Sequence, residues 1–363
     1  MKYQFALVIG LAVVLALISV GCERKVVYEG DGGQASLNSC FTCHGDDGLL
    51  LAAQGEWQNS IHASGNNVDY TNRGGGDDCT ACHDHQGFVD LITTGAINPP
   101  YDQVSGIHCF TCHAPHTRGN LTLRVFSAYT LADGSSFNYG SGNLCANCHH
   151  SRQSVNDITD DQEVHRYWGP HHGPQADLVN ASNGYEFDGY EYGNTGHGAV
   201  GDGNSCIGCH MGNPATHIGY KIGGHSFNMA AYDENADSIV TLVGICIECH
   251  PTAVNFDHDG IQSDVTSLLE ELETLLYDAG IVDEDGHPNG LPYPPVGPLT
   301  IADQDVAGAL FNFLMVEEDR SHGVHNPDYI VDLLESSIDI MESFLTPPTG
   351  GELYTEIKPQ IAH

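Results

Sequence analysis

Apolar residues recur with a helical period only in the last third of the chain. Ile261, Val265, Leu268, Leu269, Leu272, Leu275 and Leu276 fall on one face of a helix that Gly280 is placed to end. Pro288, Pro292, Pro294, Pro295 and Pro298 then predict a loop. Thr300 followed by Asp303 reads as a variant capping box for a helix through about Glu317. Asn326-Pro327 supplies a cap and a first helical residue for a helix to about Phe344, which stops before Pro347-Pro348. Residues 261–345 therefore predict a small C-terminal helical bundle. From 37 to 250 no period is sustained, and 183–205 is rich in Gly, Asn, Asp and Tyr, as a loop is. The fold class expected is mainly α with extensive loops and little β-sheet.

At the N-terminus a different pattern appears. An apolar run from Phe5 to Val20, with Lys2 the only charge before it, is shorter than the roughly 20 residues that span a bilayer. Residues 1–21 read as a secretory signal. Ser19-Val20-Gly21-Cys22 resembles a bacterial lipobox, although Ser19 stands where a branched aliphatic is usual. Cys22 is thus the expected lipidation site, and lipid is the only membrane attachment expected. Residues 22–36 read as a tether.

A chain with so little periodic core needs another organiser, and its cysteines supply one. Six segments repeat Cys-x-x-Cys-His: Cys40-Phe-Thr-Cys43-His44, Cys79-Thr-Ala-Cys82-His83, Cys109-Phe-Thr-Cys112-His113, Cys145-Ala-Asn-Cys148-His149, Cys206-Ile-Gly-Cys209-His210 and Cys246-Ile-Glu-Cys249-His250. This is the attachment signature of a c-type haem. Two thiols add to the porphyrin vinyls, and the next residue offers the proximal imidazole, here His44, His83, His113, His149, His210 and His250. A redox dithiol, a zinc ribbon or a disulfide framework does not require a His after every pair. Twelve of 13 cysteines are used, and Cys22 is the thirteenth. The expected cofactors are six haem c, so the fold expected is a haem-cored multihaem cytochrome. Motif starts at 40, 79, 109 and 145 suggest a tetrahaem unit over 37–160. Those at 206 and 246 fall in a dihaem unit over 161–260, followed by helices (261–345) and a tail (346–363).

A transfer haem works best with both axial positions filled. Of 22 histidines, 16 remain after the proximal six. Distal candidates are His62, His116, His150, His197, His225, His325 and one of the adjacent pair His171 and His172, with His172 taken for the set. His108 competes with His116. His85, His165, His217, His258, His287 and His363 read as surface or packing residues, and His322 as a spare.

Charge narrows the partners. Eleven Lys and Arg against 48 Asp and Glu leave a net −37. Such a surface repels nucleic acid and anionic lipid and suits cations or basic partners.

Several local contexts resemble those of exported multihaem cytochromes c of metal- and sulfur-respiring bacteria. Cys206-Ile-Gly-Cys209-His210-Met211, then Gly-Gly-His225-Ser-Phe, then Gly-Val-His325-Asn-Pro, is similar to the C-terminal half of the nitrite reductase and hydroxylamine oxidoreductase superfamily. Trp57-x-x-Ser-x-His62-Ala and Cys-His-Ala-Pro-His116 recur in electron-transfer members. The resemblance implies distal ligation by His225 and His325. It implies electron transfer, with partner cytochromes or ferric minerals as acceptors and self-assembly into filaments as an extension, at the outer membrane or in the periplasm. No attachment motif ends in Lys and no catalytic Arg, Tyr and Gln-His set is matched, so no catalytic residue is assigned. The alternative is a haem oxidoreductase acting on a nitrogen or sulfur oxyanion at one open haem, with Tyr185, Tyr190 and Tyr192 near it.

Overall fold

The longest helices form where the apolar period is clearest. The computed structural model describes residues 47–64, 79–98, 101, 105–118, 120–200, 205–213 and 218–346. The secretory signal, Cys22, the tether, the motif at Cys40, Cys43 and His44, and His217 and His363 lie outside them. In chain order the helices are α1 (Gly48–Trp57), α2 (Ile61–Ser64), α3 (Thr80–His83), α4 (His85–Thr94), α5 (Cys109–Cys112), α6 (Pro115–Arg118), α7 (Gly142–Ala146), α8 (Gln175–Val179), α9 (Cys206–His210), α10 (Ile261–Asp278), α11 (Gln304–Asp319) and α12 (Pro327–Leu345). Each of the last three packs against the other two.

Helix α10 buries Val265, Leu269, Leu272 and Leu276, one stripe at spacings of four, three and four. It ends as its sequence predicts: Gly280 takes φ +72°, and Ile281 N donates to the Leu276 carbonyl at 2.9 Å. Helix α11 is buried on all sides from Val306 to Val316, so it is the central helix of the core. Asp303, not Thr300, caps it by accepting from Asp305 N at 2.9 Å, because Thr300 is paired with Glu163 in the strand Leu299–Ile301. Helix α12 begins at Pro327, but Asn326 does not cap it with its side chain. The Asn326 amide instead donates to the Leu178 carbonyl (3.0 Å) and accepts from Thr195 N (3.0 Å), holding the 194–196 loop to the helices.

Sheet structure among the described residues is limited to three antiparallel pairs: β1 (Tyr129–Thr130) with β2 (Ser136–Phe137), β3 (Gln162–Val164) with β6 (Leu299–Ile301), and β4 (Ala230–Asp233) with β5 (Ser238–Thr241). The β3–β6 pair, with Val164 opposite Leu299, ties the middle of the chain to the C-terminal helices. Among the described residues no helix is long and apolar enough to cross a membrane.

The 183–193 loop is spent on packing. Buried Asn312 accepts from Tyr185 N (2.7 Å) and donates to the Tyr185 carbonyl (2.9 Å) and Ser337 Oγ (3.1 Å), so its amide is satisfied in a dry site. The hydroxyls of Tyr185, Tyr190 and Tyr192 donate to Asp305, Asp339 and Ser336. These tyrosines are bound to α11 and α12. The groups invoked for an open catalytic haem are therefore engaged elsewhere.

Candidate functional site

One turn of helix explains the attachment motif. Positions i, i+3 and i+4 share a helix face, so both thiols and the imidazole of Cys-x-x-Cys-His point the same way. Helices α3, α5, α7 and α9 carry or adjoin four of the motifs, and the fifth described motif follows the 3-10 turn Val243–Ile245. Ten cysteines of these motifs are free thiols, available for thioether bonds.

Opposite each described motif stands a second imidazole. His83 faces His171 with ring centres 6.2 Å apart, His149 faces His62 at 6.2 Å, and His113 faces His225 at 6.3 Å. His250 faces His197 at 6.2 Å, and His210 faces His325 at 6.4 Å. A metal–imidazole bond is about 2.0–2.1 Å, and roughly 1.1 Å more separates each nitrogen from its ring centre, so two trans ligands on one ion stand about 6.3 Å apart. All five separations match that value, far from the 4.8 Å of the packed pair His250 and His258. The residues present fit a six-coordinate haem iron.

Hydrogen bonds aim several of these rings. His113 Nδ1 lies 2.7 Å from the Leu121 carbonyl, His210 Nδ1 2.9 Å from the Phe227 carbonyl, and His149 Nδ1 3.2 Å from Gln175 Oε1. His325 Nδ1 lies 2.6 Å from Asp319 Oδ1. A ring that donates from Nδ1 presents the lone pair of Nε2, the form that binds metal. Burial pushes His62 and His171 down to about 4, and it also lowers His83, His113, His149, His197 and His210. These rings are neutral at pH 7, as ligation requires.

The remaining candidates are placed otherwise. His171, not His172, stands across from His83. Left-handed backbone at His171 (φ +73°) turns the two neighbours apart, and the exposed His172 pairs with Glu318 at 2.5 Å. His150 is bound at both nitrogens, Nε2 with Tyr129 Oη (2.9 Å) and Nδ1 with the Ser151 carbonyl (2.7 Å), and faces no motif ring among the described residues. His116 is exposed beside Phe110, ring centres 5.7 Å apart. His85 stacks on His108 at 4.2 Å, and its Nδ1 lies 3.0 Å from Thr111 Oγ1. Sequence reasoning passed over Glu56 and Asp319, the acidic groups beside His225 and His325. Neither is near its histidine by an obvious local rule, and Glu56 is remote in sequence.

The motifs also touch one another. The thiols of Cys82 and Cys148 interact, as do those of Cys145 and Cys206. Cys112 lies within electrostatic range of Cys145 and Cys148, and Cys209 within range of Cys246. The motif at 145–149 therefore adjoins those at 79, 109 and 206, and the last reaches the motif at 246. On the far side of these centres, His197 N donates to the His325 carbonyl at 3.1 Å, linking two facing rings through the backbone.

Dense attachment motifs with paired imidazoles, on a helix-and-loop scaffold, define the class of multihaem c-type cytochromes. Comparison with known proteins agrees at that level. The C-type polyheme cytochromes OmcC and OmcB of Geobacter sulfurreducens are each 24% identical to this chain, over 300 and 302 residues and 72% of its length. The chain spans only 36% and 37% of those relatives. Among solved structures, the outer cell wall cytochrome OcwA shares the fold, with a TM-score of 0.50 at 22% identity over 79% of this chain and 49% of that one. No family model matches the sequence.

Proposed function

We propose that this chain is an electron-transfer protein with six covalently bound haem c groups, each ligated by two histidines. The observation that carries the reading is the set of five ring pairs at 6.2–6.4 Å, each joining a motif histidine to a remote one. In this reading the thiols of Cys79 and Cys82, Cys109 and Cys112, Cys145 and Cys148, Cys206 and Cys209, and Cys246 and Cys249 hold five groups, and Cys40 and Cys43 with His44 hold the sixth. The distal ligands are His171, His225, His62, His325 and His197, in the order of those five motifs. A bound haem supplies one-electron iron chemistry. The two imidazoles of each pair would hold the iron between them, which would deny small ligands a coordination site. The chain also sets the spacing: the Cys145–Cys206 contact joins the motifs at 79, 109 and 145 to those at 206 and 246, supporting a continuous path among these five.

The relatives' names and the N-terminal pattern extend the reading. We place the chain outside the cytoplasm, anchored through acylated Cys22 at the outer membrane, passing electrons to partner cytochromes or ferric minerals. Head-to-tail filaments are its furthest extension. The link to the nitrite reductase and hydroxylamine oxidoreductase superfamily rests on the contexts of the Cys206 motif, His225 and His325.

Electron paramagnetic resonance of the oxidised holoprotein tests the core of the proposal, repeated with nitrite and with carbon monoxide after reduction. All haems low-spin and inert is the expected result. A high-spin haem that binds either ligand would overturn it in favour of an oxidoreductase. Mass spectrometry of the native N-terminus tests the anchor, and electron microscopy of native material tests the filament.

A further inference from the structure

Asp319 is the last residue of α11, with its side chain wholly out of solvent. Its Oδ1 accepts from His325 Nδ1 at 2.6 Å. Its Oδ2 accepts from Ser321 N at 3.3 Å and from the Ser321 hydroxyl. Ser321 Oγ accepts in turn from His325 N at 3.2 Å. Among the described residues the carboxylate has one ion-pair partner, His325 itself. The other facing rings are backed differently. His113 and His210 meet backbone carbonyls, and His149 meets a neutral amide. His225 Nδ1 stands 3.5 Å from Glu56 Oε2, beyond a strong hydrogen bond, with that carboxylate partly exposed.

We propose that Asp319 is a positioning residue that sets the reduction potential at the His210–His325 centre, holding it below the value that a carbonyl-backed ligand would give. The inference rests on His325 being an iron ligand, as proposed above. A carboxylate that takes the Nδ1 proton's hydrogen bond gives the ring imidazolate character and strengthens donation from Nε2. A fixed negative charge in a dry site also favours the ferric state, which carries one more positive charge, and water screens it little there. The sequence alone offers Asp319 as one more acid at the end of a helix. Its meaning comes from the turn through Arg320 (φ +61°) and His322 (φ +50°) that brings His325 back beneath it.

The test is a reductive titration of the holoprotein followed in the haem bands. Asp319→Asn keeps the size and an acceptor but removes the charge. One one-electron component should then gain about tenfold in its equilibrium constant for reduction, about 59 mV, while every haem stays low-spin. Ser321→Ala removes a donor from Oδ2, leaves more charge on the carboxylate, and should move the same component the other way. Unchanged potentials in both variants overturn the proposal. Shifts of one sign in both overturn it as well, because general loosening of the site would produce them. The ligand assignment is tested separately by His325→Ala. If all haems remain low-spin in that variant, the ligand reading fails whatever Asp319 does. If one becomes high-spin and the Asp319→Asn potentials stay in place, only the Asp319 inference fails.

Discussion

Removing one imidazole of the adjacent pair His171 and His172 tests the ligand proposed above. His171 stands 6.2 Å from His83 between ring centres, the separation of trans ligands on one iron. The His172 ring lies 5.0 Å to the side of His171 and is 71% exposed. Its pair with Glu318 is worth about 0–1 kcal/mol at that exposure, so electrostatics alone does not hold it away from the iron axis. The backbone does, because φ +73° at His171 fixes where each ring points. With the six haems proposed above, His171→Ala should open one, so that about a sixth of the haem turns high-spin. His172→Ala should leave every haem low-spin and cost no more than about 1 kcal/mol in stability. Electron paramagnetic resonance and the visible bands of the oxidised protein read both variants. A high-spin haem in His172→Ala with none in His171→Ala would refute the geometry argued here.

Four further outcomes test the scaffold. Leu333→Ala, at a fully buried position of α12, should lower unfolding stability by about 2–5 kcal/mol in denaturant titration. Gly308→Ala should cost roughly 1–3 kcal/mol, since a Cβ there would lie 2.3 Å from the Tyr185 ring. Gly55→Ala, with open space around it inside α1, should instead stabilise by about 0.5–1 kcal/mol. Burial pushes the Asp177 carboxyl up to about 7, and its Oδ1 has no hydrogen-bond partner. The native state then holds a proton that the unfolded chain has lost, so stability should fall as pH rises from about 4 to 7, by something on the order of 1–4 kcal/mol. Asp177→Asn should abolish that component of the pH profile, and an unchanged profile would show that the carboxyl titrates normally.

Local rules made much of this molecule legible. The stripe from Val265 to Leu276, the stop at Gly280 and the Pro327 start are each decided within a turn or two of chain, where backbone geometry and propensity act. Asn326 shows the limit of such rules. Its amide had two possible uses, and the long-range one prevailed because the Leu178 carbonyl and Thr195 N needed partners in a buried site.

The haem chemistry divides along the same line. Cys-x-x-Cys-His is a covalent requirement met within five residues, so the cofactor class could be read from the chain alone. A distal ligand is a different kind of object. Its ring must arrive from a remote segment, as His62 stands across from His149 and His325 from His210, and nothing in spacing says which arrives where. His150 follows a motif directly and looked well placed, yet Tyr129 and the Ser151 carbonyl take both its nitrogens. His171 and His172 are adjacent, yet only His171 stands across from His83. The order of the centres, with the motif at 145–149 meeting those at 79 and 206, was likewise decided only in three dimensions. Covalent attachment is local and was written in the chain, whereas axial pairing and spacing depend on distances between segments that only the packed tertiary structure brings together.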